Sequence, residues 1–214
     1  MLAIKKLANE MIQHKDKMKV EESPSWIKDR LLAVGLRPIN NIVDISNYVM
    51  LELGMPLHIF DRDLIKGDKV FIKEVGEETS FTTLDEVERN LLAGDTVISD
   101  EEKPLVLAGI MGGLNSGVND KTDKIFIEVA NWQAARVRKT STRLGLRTDS
   151  SMRYEKTLDS NLMYRTLLRT VELVKKVCPE AQVIGKPQYD GQDLSKGNPL
   201  KIDISVEVIN KTLG

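Results

Sequence analysis

Apolar residues recur every three or four positions in several stretches of the chain, which is the spacing of one buried helix face. The first stretch, residues 2–13, predicts an amphipathic N-terminal helix, and the polar, lysine-rich residues 14–23 predict a linker after it. A Ser-Pro-Ser start signal and a stop at Gly35 bound a second helix, which begins near Ser25. Further helices are predicted over Asn41–Leu53, 131–144 and 159–178.

Alternation of apolar and polar residues marks the strands. Strands are predicted over 70–73, 81–84, 96–99, 105–108 and 125–129, and near 182–185 and 201–207. The polar turn at 100–104 joins two of these strands, which indicates a hairpin. Helices come first, then strands, then a helix with mixed elements. This order favours an α+β layered domain, with packed β-sheets flanked by helices, over a strict βαβ repeat.

Composition restricts the class of protein. The 214 residues are 41% hydrophobic and 29% charged, as in an ordinary globular chain, and the net charge of −1 means that any RNA contact must come from a local cluster. One cysteine, Cys178, permits no internal disulfide and indicates a cytoplasmic protein, and with only two histidines a metal site is not expected. No apolar stretch approaches the roughly 18 residues that span a bilayer, so no membrane partner is expected.

A histidine lies just beyond a Gly–Pro break, in the segment Pro-Leu-His-Ile-Phe-Asp at 56–61. His58 occupies a loop or a strand edge there, where it can carry a proton or orient a substrate near neutral pH. The alternative is a structural histidine that is hydrogen-bonded to a nearby carboxylate such as Asp61.

The segment 108–117, Ala-Gly-Ile-Met-Gly-Gly-Leu-Asn-Ser-Gly, holds four glycines within nine residues. Such a segment indicates that a ligand or a neighbouring strand lies close to the backbone there. It is not a phosphate-binding loop of the Walker type, because no Gly-Lys-Ser/Thr follows.

An acid, Glu128, lies at the end of the apolar strand 125–129. Alternation puts its side chain opposite to Ile127 and on the side of Phe126. It is therefore either a solvated edge carboxylate or a group placed for one polar contact.

Six basic residues and one acid give the stretch 136–153 a net charge of +5. This cluster suits phosphate contacts with RNA, or it is a solvated helix face that pairs with acids elsewhere. Hydroxyl residues at 148–151 can cap a helix or hold a water, and no nucleophile motif contains them. Arg153 is expected to pair with Asp149 and with Glu155.

Three segments together carry a resemblance to a known family: RPINNIVDISNYVMLELGMPLHIFD at 37–61, LAGIMGGLNSGVNDKTDKIFIEVANW at 107–132, and RLGLRTDSSMRYEKTLD at 143–159. In order and spacing they resemble the B3/B4 editing domain of the beta subunit of bacterial phenylalanyl-tRNA synthetase. The resemblance covers roughly 23–190. It implies that 1–22 are a helix and linker of a preceding segment, and that 191–214 are a linker and the start of a B5-like module.

The resemblance also implies an activity and a set of partners. The expected role is editing within a phenylalanine–tRNA ligase: hydrolysis of tyrosine attached to tRNA(Phe), whose 3′ end the domain receives. The alpha subunit and the remaining beta-subunit domains are the expected protein partners. ATP and Mg belong to the charging site of the full enzyme, and no cofactor is expected in this domain.

The family's pocket positions correspond to specific residues of this chain. The expected catalytic residues are His58, Glu128 and Thr148. The expected substrate-binding residues are Arg37, Asn47, Pro56, Gly112, Gly113 and Ser150. Family members often carry alanine at the position of Ser150, so a hydroxyl is added here. The expected RNA-binding residues of the basic stretch are Arg136, Arg138, Lys139 and Arg143.

Phenylalanine and tyrosine differ by one hydroxyl, so the expected editing pocket must reward the phenol. A Glu128 carboxylate that accepts the phenol O–H would lose its partner when phenylalanine enters, at a cost of about 1–3 kcal/mol. In this interpretation bare backbone at the glycines faces the ring, Asn47 and Thr148 fix the α-amino group or a water, and His58 orients water, ester or ribose. The alternative function is a non-catalytic structural or tRNA-docking domain of the same subunit.

Overall fold

The chain folds into three antiparallel sheets with helices packed against them. A computed structural model describes residues 4–14, 19–67, 69–191 and 203–213, with only the backbone at 4–14, 185–187 and 189–191. The helices in these ranges are α1 (Ser25–Ala33), α2 (Asn41–Leu53), α3 (Ala134–Leu144), α4 (Asp149–Tyr154), α5 (Leu162–Val177) and α6 (Val206–Leu213). Of the helices that the structure describes, none is long and apolar enough to cross a membrane.

The strands are β1 (Ile4–His14), β2 (His58–Asp61), β3 (Phe71–Glu74), β4 (Thr79–Thr82), β5 (Glu88–Leu91), β6 (Thr96–Ser99), β7 (Pro104–Leu107), β8 (Met111–Gly112), β9 (Lys124–Trp132) and β10 (Ala181–Gly191). One sheet has the order β10-β1-β9-β2, a second has the order β3-β6-β7-β8, and β4 pairs with β5. The predicted α+β class, with packed sheets flanked by helices, is confirmed.

The predicted N-terminal helix over 2–13 is wrong. Ile4–His14 is a strand in the interior of the first sheet, between β9 and β10. Its register shifts between Ile4 and Lys6 against one neighbour, and between Asn9 and Met11 against the other. Such irregularities interrupt the two-residue alternation of a strand. A strand in the interior of a sheet also does not need strict alternation. For both reasons the apolar residues of this segment recur at a spacing that resembles that of a helix. The division of the chain into three segments stays a prediction.

The strand predicted over 201–207 is also wrong where the structure describes it. Residues 203–205 have no regular structure, and α6 begins at Val206. The hydroxyl of Ser205 accepts a hydrogen bond from the amide of Val208 at 3.2 Å, so a local side-chain contact starts a helix there. The helix predicted over 131–144 begins later, at Ala134, because β9 continues to Trp132.

Helix α2 has the boundaries that the sequence predicts. Asn40 caps its start by accepting hydrogen bonds from the amides of Ile42 and Val43, at 3.1 and 2.8 Å. Gly54 ends it with a positive φ of 78°, in the left-handed conformation that glycine adopts at helix ends. The predicted hairpin is also present, since β6 pairs with β7.

One tyrosine fixes the relative position of three elements around the future site. The hydroxyl of Tyr154, in α4, lies 2.8 Å from the carbonyl oxygen of Ala130 in β9 and 3.0 Å from that of Pro56, before β2. Tyr154 is buried, and both acceptors are backbone atoms. A single buried O–H therefore ties the end of α4 to the sheet and to the segment that leads into β2.

Loss of the α2 cap should weaken the fold by a measurable amount. Asn40→Ala removes the acceptor of two backbone amides, and we expect the free energy of unfolding to fall by about 1 kcal/mol. Urea denaturation followed by circular dichroism measures this change. Asn40→Asp keeps the acceptor and should unfold like the wild type. An equal loss in both variants would contradict the capping role.

Candidate functional site

A cavity of about 410 Å³ lies between the first sheet and the glycine-rich segment. Its walls come from α2, the start of β2, residues 109–112, β9 and the start of α4. The predicted site residues that the structure brings together in this lining are Asn47, Pro56, His58, Gly112, Glu128, Thr148 and Ser150.

Glu128 is a buried acid on the central part of β9. Its residue surface is 4% exposed, and its carboxyl makes no hydrogen bond to any side chain or backbone group that the structure describes. Burial raises the pKa of this carboxyl to about 8. The interpretation as a solvated edge carboxylate is therefore wrong. A carboxyl with this pKa is largely protonated at pH 7 while the cavity is empty.

His58 faces Glu128 directly across the antiparallel ladder between β2 and β9. Its Nε2 atom is buried and has no hydrogen-bond partner among the described residues. Burial lowers the pKa of the imidazole to about 4, so the ring is neutral at pH 7. Asp61 is not its partner, because that carboxylate accepts hydrogen bonds from Thr122 and Asn119 at 2.7 and 3.2 Å. The expected alternative of a His58–Asp61 bond is wrong.

The adjacent glycines at 112 and 113 accommodate the protein's own side chains. A Cβ atom at Gly112 would lie 2.4 Å from Cε1 of His58, far inside van der Waals contact. A Cβ atom at Gly113 would lie 2.7 Å from the carbonyl oxygen of Leu105 and from the ring of Phe81. Gly112 borders the cavity, whereas Gly113 is not among the lining residues. Close approach of neighbouring protein groups thus accounts for both glycines.

Two hydroxyls hold the glycine-rich segment against α4. Thr148 donates to the carbonyl oxygen of Ile110 at 2.8 Å and accepts from the amide of Ser151 at 3.0 Å. Ser150 donates to the carbonyl oxygen of Gly109 at 3.1 Å. The hydroxyl protons of Thr148 and Ser150 are therefore both engaged with backbone. The predicted helix cap is confirmed, since Thr148 and Ser151 cap α4 reciprocally.

The remaining predicted substrate residues differ in their placement. Asn47 is half-buried in the lining, and its amide makes no hydrogen bond within the described part of the chain. Arg37 is exposed and lies outside the lining residues. Trp132, Leu84 and Asp149 also line the cavity but were not predicted. In the sequence, Trp132 and Leu84 resemble ordinary core residues. The only sequence signal for Asp149 is its position next to Thr148.

The basic residues of α3 are mostly occupied by the protein itself. Arg136 pairs with Glu74 at 2.6 Å, and Arg143 pairs with Asp95. Arg138 donates to the backbone carbonyl of Glu155 at 2.7 Å, whereas Lys139 is exposed and has no partner among the described residues. None of the four lines the cavity. Their predicted contact with RNA stays a prediction.

The chemical character of the cavity follows from these groups. Its described lining contains no lysine or arginine, and two of its polar groups are a protonated carboxyl and a neutral imidazole. Across the described ranges, no group of three or more His, Cys, Asp or Glu residues is placed to hold a metal ion. Uncharged, buried and unpaired polar groups bind a neutral hydroxyl well, because that hydroxyl replaces the water they have lost.

Comparison with known proteins gives a consistent family. The family model described as "B3/4 domain" matches residues 9–179. The beta subunit of phenylalanine–tRNA ligase from Porphyromonas gingivalis is 47% identical over 91% of this chain and 23% of its own length. The subunit from Solibacter usitatus is 40% identical over 87% of this chain and 24% of its own length. The chain thus spans about a quarter of these curated relatives.

One solved structure that matches this chain aligns with it only weakly. An N-terminal fragment of the phenylalanyl-tRNA synthetase beta subunit from Pyrococcus horikoshii aligns with a TM-score of 0.42 and 16% identity. The alignment covers 65% of this chain and 44% of that chain, and at this level it supports no structural argument.

The buried carboxyl should make stability depend on pH. Its pKa is about 8 in the folded chain and about 4.3 when unfolded, so between these values the folded chain holds a proton that the unfolded chain has lost. The free energy of unfolding then falls as pH rises, by at most about 1.4 kcal/mol per unit. His58 opposes this only below about pH 6.5, because its pKa is lowered on folding.

The test is denaturation of wild type and Glu128→Gln between pH 6.5 and 8. We expect the variant to gain stability relative to the wild type across this window, since it lacks the titrating group. Parallel stability curves would contradict a raised pKa at Glu128.

The contact between Gly112 and His58 predicts a second measurable effect. In Gly112→Ala, the imidazole must move by about 1 Å to regain van der Waals distance, and overpacking should lower stability by about 1–3 kcal/mol. Exposure to water should raise the pKa of His58 toward its ordinary value, which NMR titration of the ring measures. Gly117→Ala is the matched control, because its Cβ would meet only Leu84, at 3.3 Å. An unchanged His58 titration in Gly112→Ala would contradict the contact.

Proposed function

This chain belongs to the B3/4 domain family, as do the matching parts of phenylalanine–tRNA ligase beta subunits, and we propose that its cavity hydrolyses tyrosine wrongly attached to tRNA(Phe). The observation that carries the proposal is that the buried carboxyl of Glu128 and the buried Nε2 of His58, on directly opposite residues of one ladder, have no hydrogen-bond partner among the described side chains and line the same cavity. Such groups lower stability unless a ligand pairs with them.

The proposed selectivity rests on the single hydroxyl that distinguishes tyrosine from phenylalanine. In a protonated state the Glu128 carboxyl can donate to the phenol oxygen, and the single phenol proton is then donated either to the carbonyl oxygen of that carboxyl or to Nε2 of His58. From the sequence we expect an ionised carboxylate at this position, whereas the proposed recognition uses the neutral, protonated carboxyl. With phenylalanine in the cavity the carboxyl stays unpaired, at a cost of about 1–3 kcal/mol, or roughly 5- to 150-fold in selectivity.

His58 belongs to the phenol end of the cavity in this proposal. It lies directly opposite Glu128 across the ladder, and its free Nε2 accepts a hydrogen bond from a hydroxyl. We therefore favour recognition of the phenol by His58 over orientation of the attacking water. The free amide of Asn47 is the better candidate to contact the ester or its water.

The proposed chemistry needs little activation. Water adds to the ester carbonyl, the bond to the ribose oxygen breaks, the ribose oxygen takes a proton, and tyrosine and tRNA leave. An aminoacyl ester is already reactive, so a positioned water and stabilisation of the developing oxyanion suffice. The vicinal ribose hydroxyl of the tRNA can assist. We propose no cofactor for this step, and ATP and Mg belong to the charging site of the full enzyme.

The proposed setting is a larger cytoplasmic enzyme. The chain spans about a quarter of its relatives, which are beta subunits of a ligase, so an alpha subunit and further beta-subunit domains are the proposed protein partners. They would deliver the 3′ end of tRNA(Phe), with exposed cations such as Lys139 as candidate phosphate contacts.

A non-catalytic docking domain is the second candidate function. Because Arg136, Arg138 and Arg143 already contact protein groups, the described α3 surface offers few free cations for docking. A docking domain also gains nothing from an unpaired buried carboxyl. These two observations favour the hydrolytic function.

Substitution of Glu128 in the full-length ligase, assembled from both subunits, tests the proposal. We expect Glu128→Ala to slow deacylation of Tyr-tRNA(Phe) by about 5- to 150-fold, with phenylalanine charging unchanged, because the phenol loses its partner. Glu128→Gln should keep part of the activity, since the amide also donates and accepts.

Glu172→Gln, an exposed change on α5 outside the cavity, is the control and should behave like the wild type. Single-turnover hydrolysis of Tyr-tRNA(Phe) and Phe-tRNA(Phe) supplies the rates. If the wild-type ligase hydrolysed both esters equally and at the background rate, the hydrolytic function would be rejected, and the docking function would be the better hypothesis.

A further inference from the structure

We infer that Asp149 binds the α-ammonium group of the aminoacyl ester at the mouth of the cavity and thereby fixes the direction in which the substrate enters. The inference rests on the proposed function and adds a specificity-determining residue to that site. It follows from the distribution of charge and exposure in the lining.

Only two acids and no lysine or arginine are among the lining residues that the structure describes. One acid, Glu128, is 4% exposed and largely protonated at pH 7 because of its burial. The other, Asp149, has a side chain that is 44% exposed and pairs with the guanidinium of Arg153, so it carries a negative charge. A cationic group that enters the cavity therefore meets its counter-charge at Asp149.

The carboxylate of Asp149 is held in place and yet retains a free oxygen. Nη1 of Arg153 donates to Oδ1 at 2.8 Å, and also to the backbone oxygen of Asp149 at 2.8 Å. Oδ2 makes no hydrogen bond to any residue that the structure describes. The ion pair thus orients the side chain in advance, so the side chain loses little conformational entropy when a ligand binds. Its Oδ2 can then accept a hydrogen bond from an ammonium group.

The two acids differ in depth, and a tyrosyl ester is polar at both ends. Its phenol is neutral and fits the deep pair of Glu128 and His58, whereas its ammonium is charged and fits the partly solvated carboxylate of Asp149. Reversal would bury the charged ammonium beside a carboxyl at 4% exposure, so the ammonium would lose its hydration and the carboxyl would have to give up its proton to pair with it, both at a cost in free energy. The charge gradient therefore favours one orientation, with the ester bond near the opening.

The test varies the enzyme and the substrate together. The full-length ligase, assembled from both subunits, is assayed with Tyr-tRNA(Phe) and with its α-hydroxy analogue, in which a neutral hydroxyl replaces the ammonium. For Asp149→Asn we expect kcat/KM to fall about 5- to 20-fold with Tyr-tRNA(Phe), mainly through KM, because the pair is partly solvated. With the α-hydroxy analogue the same substitution should change kcat/KM less than about twofold.

Two further variants exclude a structural explanation. Asp149→Glu keeps the charge and should recover most of the activity toward Tyr-tRNA(Phe). Asp63→Asn is the matched control, since it removes an exposed aspartate that pairs with Lys124 at 3.3 Å and lies outside the cavity lining. It should leave both substrates unaffected.

An equal loss with both substrates, or no loss with either, would overturn the role of Asp149 and leave the proposed function standing. A wild-type ligase that hydrolyses neither ester would instead overturn the proposed function, together with this inference.

Discussion

Burial of an ionisable carboxyl opposite a neutral imidazole is the constraint on which the rest of the site depends. Glu128 and His58 are direct neighbours across one antiparallel ladder, so the fold places them together before any ligand arrives. Neither group has a described hydrogen-bond partner that would compensate for its desolvation. In the proposed function a correctly placed hydroxyl relieves the unfavourable free energy of this arrangement, so stability and recognition would be linked through the same two side chains.

The surrounding structure keeps this pair in register. The absence of a side chain at Gly112 makes room for the imidazole, and Thr148 and Ser150 bind the carbonyls of the preceding loop. Tyr154 joins α4 to β9 and to the segment before β2. The glycines and hydroxyls therefore act on the cavity largely through protein contacts, although the family resemblance implied direct contact with a substrate.

Local signals predicted much of the fold, and the family motifs named seven of the residues that line the cavity. The cap at Asn40 and the glycine at 54 define α2 because helix ends depend on neighbouring residues alone. By contrast, the sequence pattern of β1 predicts a helix, because register shifts against its two neighbouring strands cannot be inferred from a single sequence. The motifs located the residues around the cavity, but the burial of Glu128 and the free Nε2 of His58 depend on packing between distant segments. Arg37 belongs to the first family motif but not to the residues that line the cavity, so membership of a motif alone does not place a residue in the cavity wall.

For the proposed substrate, an acylated tRNA, the distribution of charge in the cavity separates two tasks. The nucleic acid is a polyanion, and a cavity whose described lining has no cation offers its phosphates no counter-charge. The attached amino acid, in contrast, ends in a cation and a neutral phenol, for which the partly solvated carboxylate of Asp149 and the protonated carboxyl of Glu128 are suited. Phosphate contacts must then lie outside the cavity, on this domain or on its partners. In the proposed function the cavity would therefore recognise the amino acid independently of the tRNA sequence.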